Sequence, residues 1–235
     1  MIWTCASGGG NLKAMASNQK PSPEVAKVVI LIFATIAIIL ICACPAVQSH
    51  YLAKPERLAV AGAYVHAGSQ ITLPESIASF HRDGVTRYDS DGRDISAGYN
   101  LMTVSHQIAA TVYVYPAPPL TSIGSPPEVA AAARAHLTER EFEHRQQEIQ
   151  RVHPGATLVE QRDAVQFQDG KTYPGRAAVY EFESPFAGST IPVRSHLYVF
   201  CGVDGKWAIE YRFTHPKSEN ADPEIQAFME KWAWH

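Results

Sequence analysis

The sequence predicts an α+β fold: an antiparallel sheet of three hairpins packed with one long and one C-terminal helix, preceded by one transmembrane helix. Three observations carry this expectation. Asp-Gly pairs at Asp91-Gly92, Asp169-Gly170 and Asp204-Gly205 punctuate β-rich sequence, two stretches show helical spacing of apolar residues, and the run Val28 to Val47 holds no charged side chain. Strands, then a long helix, then more hairpins and a last helix is an order that segregates the two element types, without the strict alternation of a parallel sheet.

The apolar run comes first. "KVVILIFATIAIILICACPAV", Lys27 to Val47, contains 20 uncharged residues in succession. At about 1.5 Å per residue such a helix covers roughly the 30 Å hydrocarbon core of a bilayer. A helix buried in a soluble core needs only one apolar face, so an all-round apolar run reads as a span. Lys13, Lys20 and Lys27 outweigh Glu24 before it, which places the preceding segment inside by the positive-inside rule. The predicted organisation is a disordered cytoplasmic tail over 1–26, a transmembrane helix over 27–48, a linker over 49–69, and an extracytoplasmic domain over 70–235. Two processing alternatives stand beside a retained anchor. "ICAC", Ile41 to Cys44, is similar to the lipobox of bacterial lipoproteins, which would be lipidated at Cys44, and "CPA" ending at Ala46 fits ordinary signal cleavage. The length of the run exceeds a typical signal h-region and favours retention. The expected location is the inner (plasma) membrane of a bacterium, with the domain facing the periplasm or the cell exterior.

Charge and cysteine content narrow the partners. Of 20 Lys+Arg and 23 Asp+Glu, only Lys13, Lys20, Lys27 and Glu24 lie at or before Lys27, leaving the rest with a net charge of −5. A mildly acidic surface argues against nucleic acid. Cys5 is in the tail, Cys42 and Cys44 are in the apolar run, and Cys201 alone is in the domain, so no disulfide can form within it. The glycine triplet at Gly8 to Gly10 is not a phosphate loop, because no GK[ST] follows.

Within the domain, "TVYVY" at Thr111 to Tyr115 is β-branched and aromatic, and prolines 116, 118 and 119 stop it. The Asp-Gly pairs suit two-residue hairpin turns that need φ > 0, giving hairpins near Val85 to Tyr99, Ala164 to Phe182 and Val193 to Phe213. In the last, counting outward from the turn sets Val203 opposite Lys206, Phe200 opposite Ile209 and Tyr198 opposite Tyr211. The other face then carries Leu197, Val199 and Cys201 beside Ala208, Glu210 and Arg212, so both faces of the sheet should be covered.

The long helix starts after Ser125, with Glu128 three residues on as a capping box, and ends at Pro154-Gly155. Its expected apolar stripe is Ala131, Ala135, Thr138, Phe142, Ile149 and Val152. The second, "DPEIQAFMEKWAW", has Asp222 as cap, Pro223 in first position and Ile225, Phe228, Met229 and Trp232 on one face. This order of elements from Ile71 to His235 resembles the Mog1/PsbP-like sandwich. The resemblance implies an accessory, binding or assembly role and carries over no functional residue.

Candidate chemistry is sparse. "YDSDGRD" sets Asp89, Asp91 and Asp94 around a turn, but its glycine is misplaced for an EF-hand loop and Asn100 stands where the closing glutamate belongs, so a solvated hairpin tip is expected. Glu141, His144 and Glu148 lie along one line of the long helix; the di-iron bundle motif needs a second such helix, and a charged solvent face is expected instead. Cys201 and His196, five residues apart on one strand, point to opposite faces. Strand tyrosines at 88, 99, 113, 115, 180, 198 and 211 could line a groove, and Tyr113, Tyr115, Tyr198 and Tyr211 mark the expected binding surface. The proline-rich stretch from Tyr115 to Pro127 is a candidate contact loop.

No catalytic residue, cofactor or metal site is expected. The functional expectation is a non-enzymatic, extracytoplasmic binding or accessory domain on a single-pass membrane protein, with a possible protein partner in or at the membrane. The rival is an extracytoplasmic hydrolase or metal enzyme whose site gathers His106, His196, His215 and Asp204 from dispersed positions.

Overall fold

The computed structural model describes residues 51–103, 106–119, 126–168, 170–203 and 205–234. Eleven strands and two helices follow in chain order. They are β1 (Tyr51–Leu58), β2 (Tyr64–Val65), β3 (Thr72–Leu73), β4 (Ser76–Ile77), β5 (Phe80–Asp89), β6 (Ile95–Met102), β7 (Gln107–Pro116), α1 (Pro127–Val152), β8 (Thr157–Gln168), β9 (Lys171–Phe186), β10 (Ser189–Val203), β11 (Trp207–Pro216) and α2 (Asp222–Lys231).

A single antiparallel sheet of nine strands dominates, in the order β1-β5-β6-β7-β11-β10-β9-β8, with β4 paired to β5; β2 and β3 form a separate ribbon. Two meanders, β5 to β7 and β8 to β11, are joined where β7 pairs with β11. The α+β expectation of three hairpins is thereby corrected to a mainly β architecture, 55% strand against 20% helix among the described residues. The reason lies in the turns. Ala187 and Gly188 link β9 to β10 with φ of 49° and 88°, the doubly positive geometry of a tight hairpin, but without the Asn-Gly or Asp-Gly signature. Thr103 and His106 close the β6-β7 connection, Thr103 donating its N–H to the His106 carbonyl at 2.8 Å. With those two turns the separate hairpins fuse into continuous meanders, and β9 and β10 reach 16 and 15 residues.

A second correction concerns 49–69, expected as a linker. That stretch contains β1, which pairs with β5, and His66, which is fully buried. The expected tail 1–26 and transmembrane helix 27–48 lie outside the described residues, as do Ser125, Asp169 and Asp204. Among the described residues, no helix is long and apolar enough to cross a membrane.

The β10-β11 register agrees with the count made on the sequence at Tyr198 opposite Tyr211 and Phe200 opposite Ile209, but Val203 faces Trp207 rather than Lys206. Gly202 is the extra residue, with φ of 80°, and a bulge at this position absorbs the slip. The sheet is covered on both faces. On one side Tyr198, Phe200, Ile209, Tyr211 and Phe213 pack with Ile225, Phe228 and Met229 of α2 and with Trp232 and Trp234 just beyond it. On the other, Leu197, Val199, Cys201 and Ala208 pack with Phe142 and Ile149 of α1.

The helices differ in detail from expectation. Pro126 is the N-cap of α1, with no side-chain cap bond, and of the expected stripe Thr138, Phe142 and Ile149 are buried while Ala131, Ala135 and Val152 are exposed. The α2 cap is Ala221, one residue before Asp222. Its carbonyl end is satisfied from β8: Gln166 and Gln168 donate to the Met229 and Trp232 carbonyls at 2.7 and 2.6 Å, which answers the orphan acceptors of a helix terminus.

Candidate functional site

Strand alternation sets the floor of the site. On β11 the residues facing α1 are Ala208, Glu210 and Arg212; β7 places Tyr115 beside Ala208 and Tyr113 beside Glu210, and β6 adds Ser96 beside Tyr113. Two charges in the middle of a covered sheet need partners on the covering layer, because an isolated buried ion is costly. The partners come from α1. Thr138, Phe142 and Ile149 fix which side of that helix meets the sheet, and a row at i, i+4, i+7 and i+11 from Thr138 passes through Arg145.

Arg145 therefore enters the interface and binds three carboxylates, at 2.6 Å to Glu141, 3.0 Å to Glu148 and 3.2 Å to Glu210. Arg212 bonds Glu210 as well and reaches Glu148 at 3.2 Å. Glu210 is 1% exposed; burial raises its pKa while Arg212 and Arg145 oppose the rise. Glu148 moves the other way, since the pull of Arg145 and Arg212 outweighs its burial and holds it below the usual carboxylate range. Each guanidinium also covers a phenol ring, Arg145 over Tyr115 at 4.6 Å and Arg212 over Tyr113 at 5.2 Å. Tyr115 donates its hydroxyl to Glu141 at 3.0 Å. Burial pushes the Tyr113 phenol up to about 12 and that of Tyr115 well above its ordinary range.

Above this floor opens a cavity of about 480 Å³ lined by Tyr51, Leu52 and Pro55 of β1, Tyr88 at the end of β5, Asp94 of the β5-β6 turn, Tyr113, Tyr115, and His144, Arg145, Glu148 and Arg212. The turn is built by Asp89, whose buried carboxylate accepts the N–H groups of Arg93 at 2.9 Å and Asp94 at 3.2 Å. Asp94 is thus presented toward the cavity, where burial and then the charge of Asp89 raise its pKa to about 6. Tyr88 bonds Ser96 at 3.0 Å and its ring stands 6.3 Å from that of Tyr113.

No protein-family model and no curated protein matches this chain. Among solved structures it is similar to the crystal structure of PA94, a protein of unknown function from Pseudomonas aeruginosa. That likeness spans 73% of this chain and 94% of that one, at 10% identity and a TM-score of 0.35.

The structure divides the expected tyrosine surface. Tyr113 and Tyr115 line the cavity, whereas Tyr198 and Tyr211 lie on the opposite face of the sheet, in the core beneath α2, with Tyr211 accepting from Trp234 Nε1 at 2.6 Å. Glu141 and Glu148, expected on a solvent face, turn into the interface, and His144 stays outside. Asp94, expected at a solvated tip, lines the cavity. The signal for these misses was present: Glu210 and Arg212 alternate with apolar residues on a strand covered on both faces, and α1 offered the complementary charges.

The dispersed set of the rival reading does not gather. His196 and His215 do meet, Nε2 to Nε2 at 3.0 Å, but both are buried between β10 and β11. His215 Nδ1 lies 2.9 Å from the Pro216 carbonyl. A carbonyl only accepts, so His215 carries its proton there and receives the His196 N–H at Nε2. His106 sits elsewhere, 3.3 Å from Glu224, and Asp204 is outside the described residues. Cys201 is held inert, its thiol pushed up to about 12 by burial. Among the described residues no group of three or more metal-ligating side chains converges.

Proposed function

We propose that residues 49–235 form a non-enzymatic binding module whose ligand seat is the cavity under α1, held outside a bacterial plasma membrane by the span at 27–48. The observation that carries the binding reading is the construction of the seat. A cavity of about 480 Å³ falls in the range of small-molecule sites, about 300 to 1,000 Å³. Its walls are tyrosines and leucine, and its polar groups are fixed by a network of ion pairs and hydrogen bonds. Such rigidity suits recognition, because groups already held in place lose little freedom on binding.

Nuclear magnetic resonance of the full-length chain, titrated with a panel of small cationic, neutral and anionic compounds, tests the seat. Shifts concentrated at Tyr88, Asp94, Tyr113 and Glu148 are the expected result. Shifts that occur only elsewhere on the domain would overturn it. Protease access in spheroplasts, together with the intact mass of membrane-extracted protein, tests the anchor; a mass beginning at Cys44 with added lipid would replace the span with lipidation.

A further inference from the structure

Resting on the cavity as the binding seat, we infer that its ligand is a small organic cation, a protonated amine or quaternary ammonium, held by Asp94 against the Tyr51, Tyr88 and Tyr113 side chains. Arg145 and Arg212 are the two guanidiniums in the wall, and both are spoken for. Arg145 bonds Glu141, Glu148 and Glu210, and Arg212 bonds Glu210 and Glu148. An anion would have to compete with carboxylates already in place, and bidentate recognition needs a free fork of donors.

The negative side has a surplus. Glu141, Glu148 and Asp94 outnumber the two guanidiniums even with Glu210 protonated, and with Glu210 ionised the excess is larger. Glu148 has its outer oxygen turned to the exposed His144 at 3.6 Å. Asp94 is the cavity's available carboxylate: its backbone N–H is used by Asp89, and its carboxylate takes part in none of the ion pairs that bind Arg145 and Arg212. A carboxylate in this position is desolvated and stands near Asp89, and Arg145 offsets this only in part; a cation entering the cavity supplies further compensating charge.

The aromatic walls select for the same chemistry. A phenol ring attracts a cation over its face, about 0.5 to 2 kcal/mol depending on desolvation. Arg212 and Arg145 already use that attraction on Tyr113 and Tyr115. Among the described residues no guanidinium stands over the rings of Tyr88 and Tyr51, so they provide the faces a ligand would meet. Leu52 and Pro55 add apolar surface for methyl or methylene groups.

The test uses the full-length chain with choline and putrescine as cations, dimethylbutanol as the neutral isostere of choline, and sodium acetate and phosphate as anions. Choline is expected to shift Tyr88, Asp94 and Tyr113, with the isostere at least about tenfold weaker. Asp94→Asn should weaken choline about tenfold or more without lowering the melting temperature, and Tyr88→Leu should weaken it while leaving the fold intact. For the unsubstituted protein, affinity should fall between about pH 7.5 and about pH 5 as Asp94 takes up its proton. Acetate or phosphate moving the cavity resonances while both cations leave them still would overturn the cation assignment and leave the binding seat standing. No probe of any charge moving them would overturn both. Equal affinity of choline and its isostere, or unchanged affinity in Asp94→Asn, would also remove the assignment.

Discussion

Asp94 is an aspartate that works against the fold it belongs to. Its pKa is raised from 3.8 to about 6 by burial and by Asp89. A carboxyl whose folded-state pKa lies above its unfolded value destabilises the native state wherever both states would ionise, and relief comes as pH falls through the folded value. Asp94→Asn is therefore expected to raise the melting temperature at about pH 7.5, with the advantage shrinking to nothing by about pH 4; thermal melts at a series of pH values check it. The His196–His215 pair has the opposite sign. Burial and the charge of His215 lower His196 from 6.5 to about 4, and His215 is lowered as well, chiefly by burial. Stability from these neutral rings is complete above about pH 6.5 and is lost as pH falls toward 4, because the unfolded chain takes up protons the core refuses. Arg194 and Arg162 add to the resistance, and Asp222 opposes it. His196→Gln should flatten the acid limb of the stability curve by up to about 1.4 kcal/mol per pH unit, read from urea unfolding at several pH values. Neither residue's behaviour was legible in the sequence, where Asp94 was one acid of a turn and the histidines were two of ten. Titration depends on burial and on neighbours that only the fold brings together, Asp89 beside Asp94 across the turn and His215 beside His196 across the β10-β11 pairing.

At the level of strands, two glycines with ordinary backbone make a controlled comparison. A Cβ on Gly175 in β9 would collide with the Phe200 ring and stand 2.6 Å from the Val199 carbonyl oxygen, while one on Gly98 in β6 meets nothing within 4 Å. Gly175→Ala should destabilise by about 1 to 3 kcal/mol through overpacking, and Gly98→Ala should be neutral or stabilising by up to about 1 kcal/mol through the unfolded chain. Equilibrium denaturation of the two variants side by side decides it. Strand faces were the most readable feature of this protein. The alternation about the β10-β11 turn sorted Tyr198, Phe200, Ile209 and Tyr211 from Leu197, Val199, Cys201 and Ala208, and both clusters exist. Turns were read only where aspartate preceded glycine, which concealed Ala187-Gly188 and with it the continuity of the sheet. The partnership of α1 with Glu210 and Arg212 was hidden for another reason: a helix line rich in charge looks like a solvated face until the layer beneath it is known to be charged too.

Across the molecule, one aromatic side chain ties the α2 side together. Phe228 is fully buried and makes ring contacts with Phe80, Tyr99, Tyr211, Phe213 and Trp232, residues drawn from β5, β6, β11 and the end of α2. Phe228→Ala should cost about 3 to 5 kcal/mol, and Tyr99 and Trp232 should lose protection together in hydrogen exchange, since the cavity would sit where both meanders touch the helix. The joint between those meanders has a further consequence. Tyr88, Asp94 and Tyr113 come from chain before Pro119, whereas Arg145, Glu148 and Arg212 come from chain after Pro126, and the β7-β11 pairing, the α1 interface and the aromatic cluster around Phe228 unite them. Two polypeptides divided between Pro119 and Pro126 would each hold half a seat, and a ligand touching both walls would draw them together. The domain is in that sense a natural split reporter, whose reassembly a small molecule could drive.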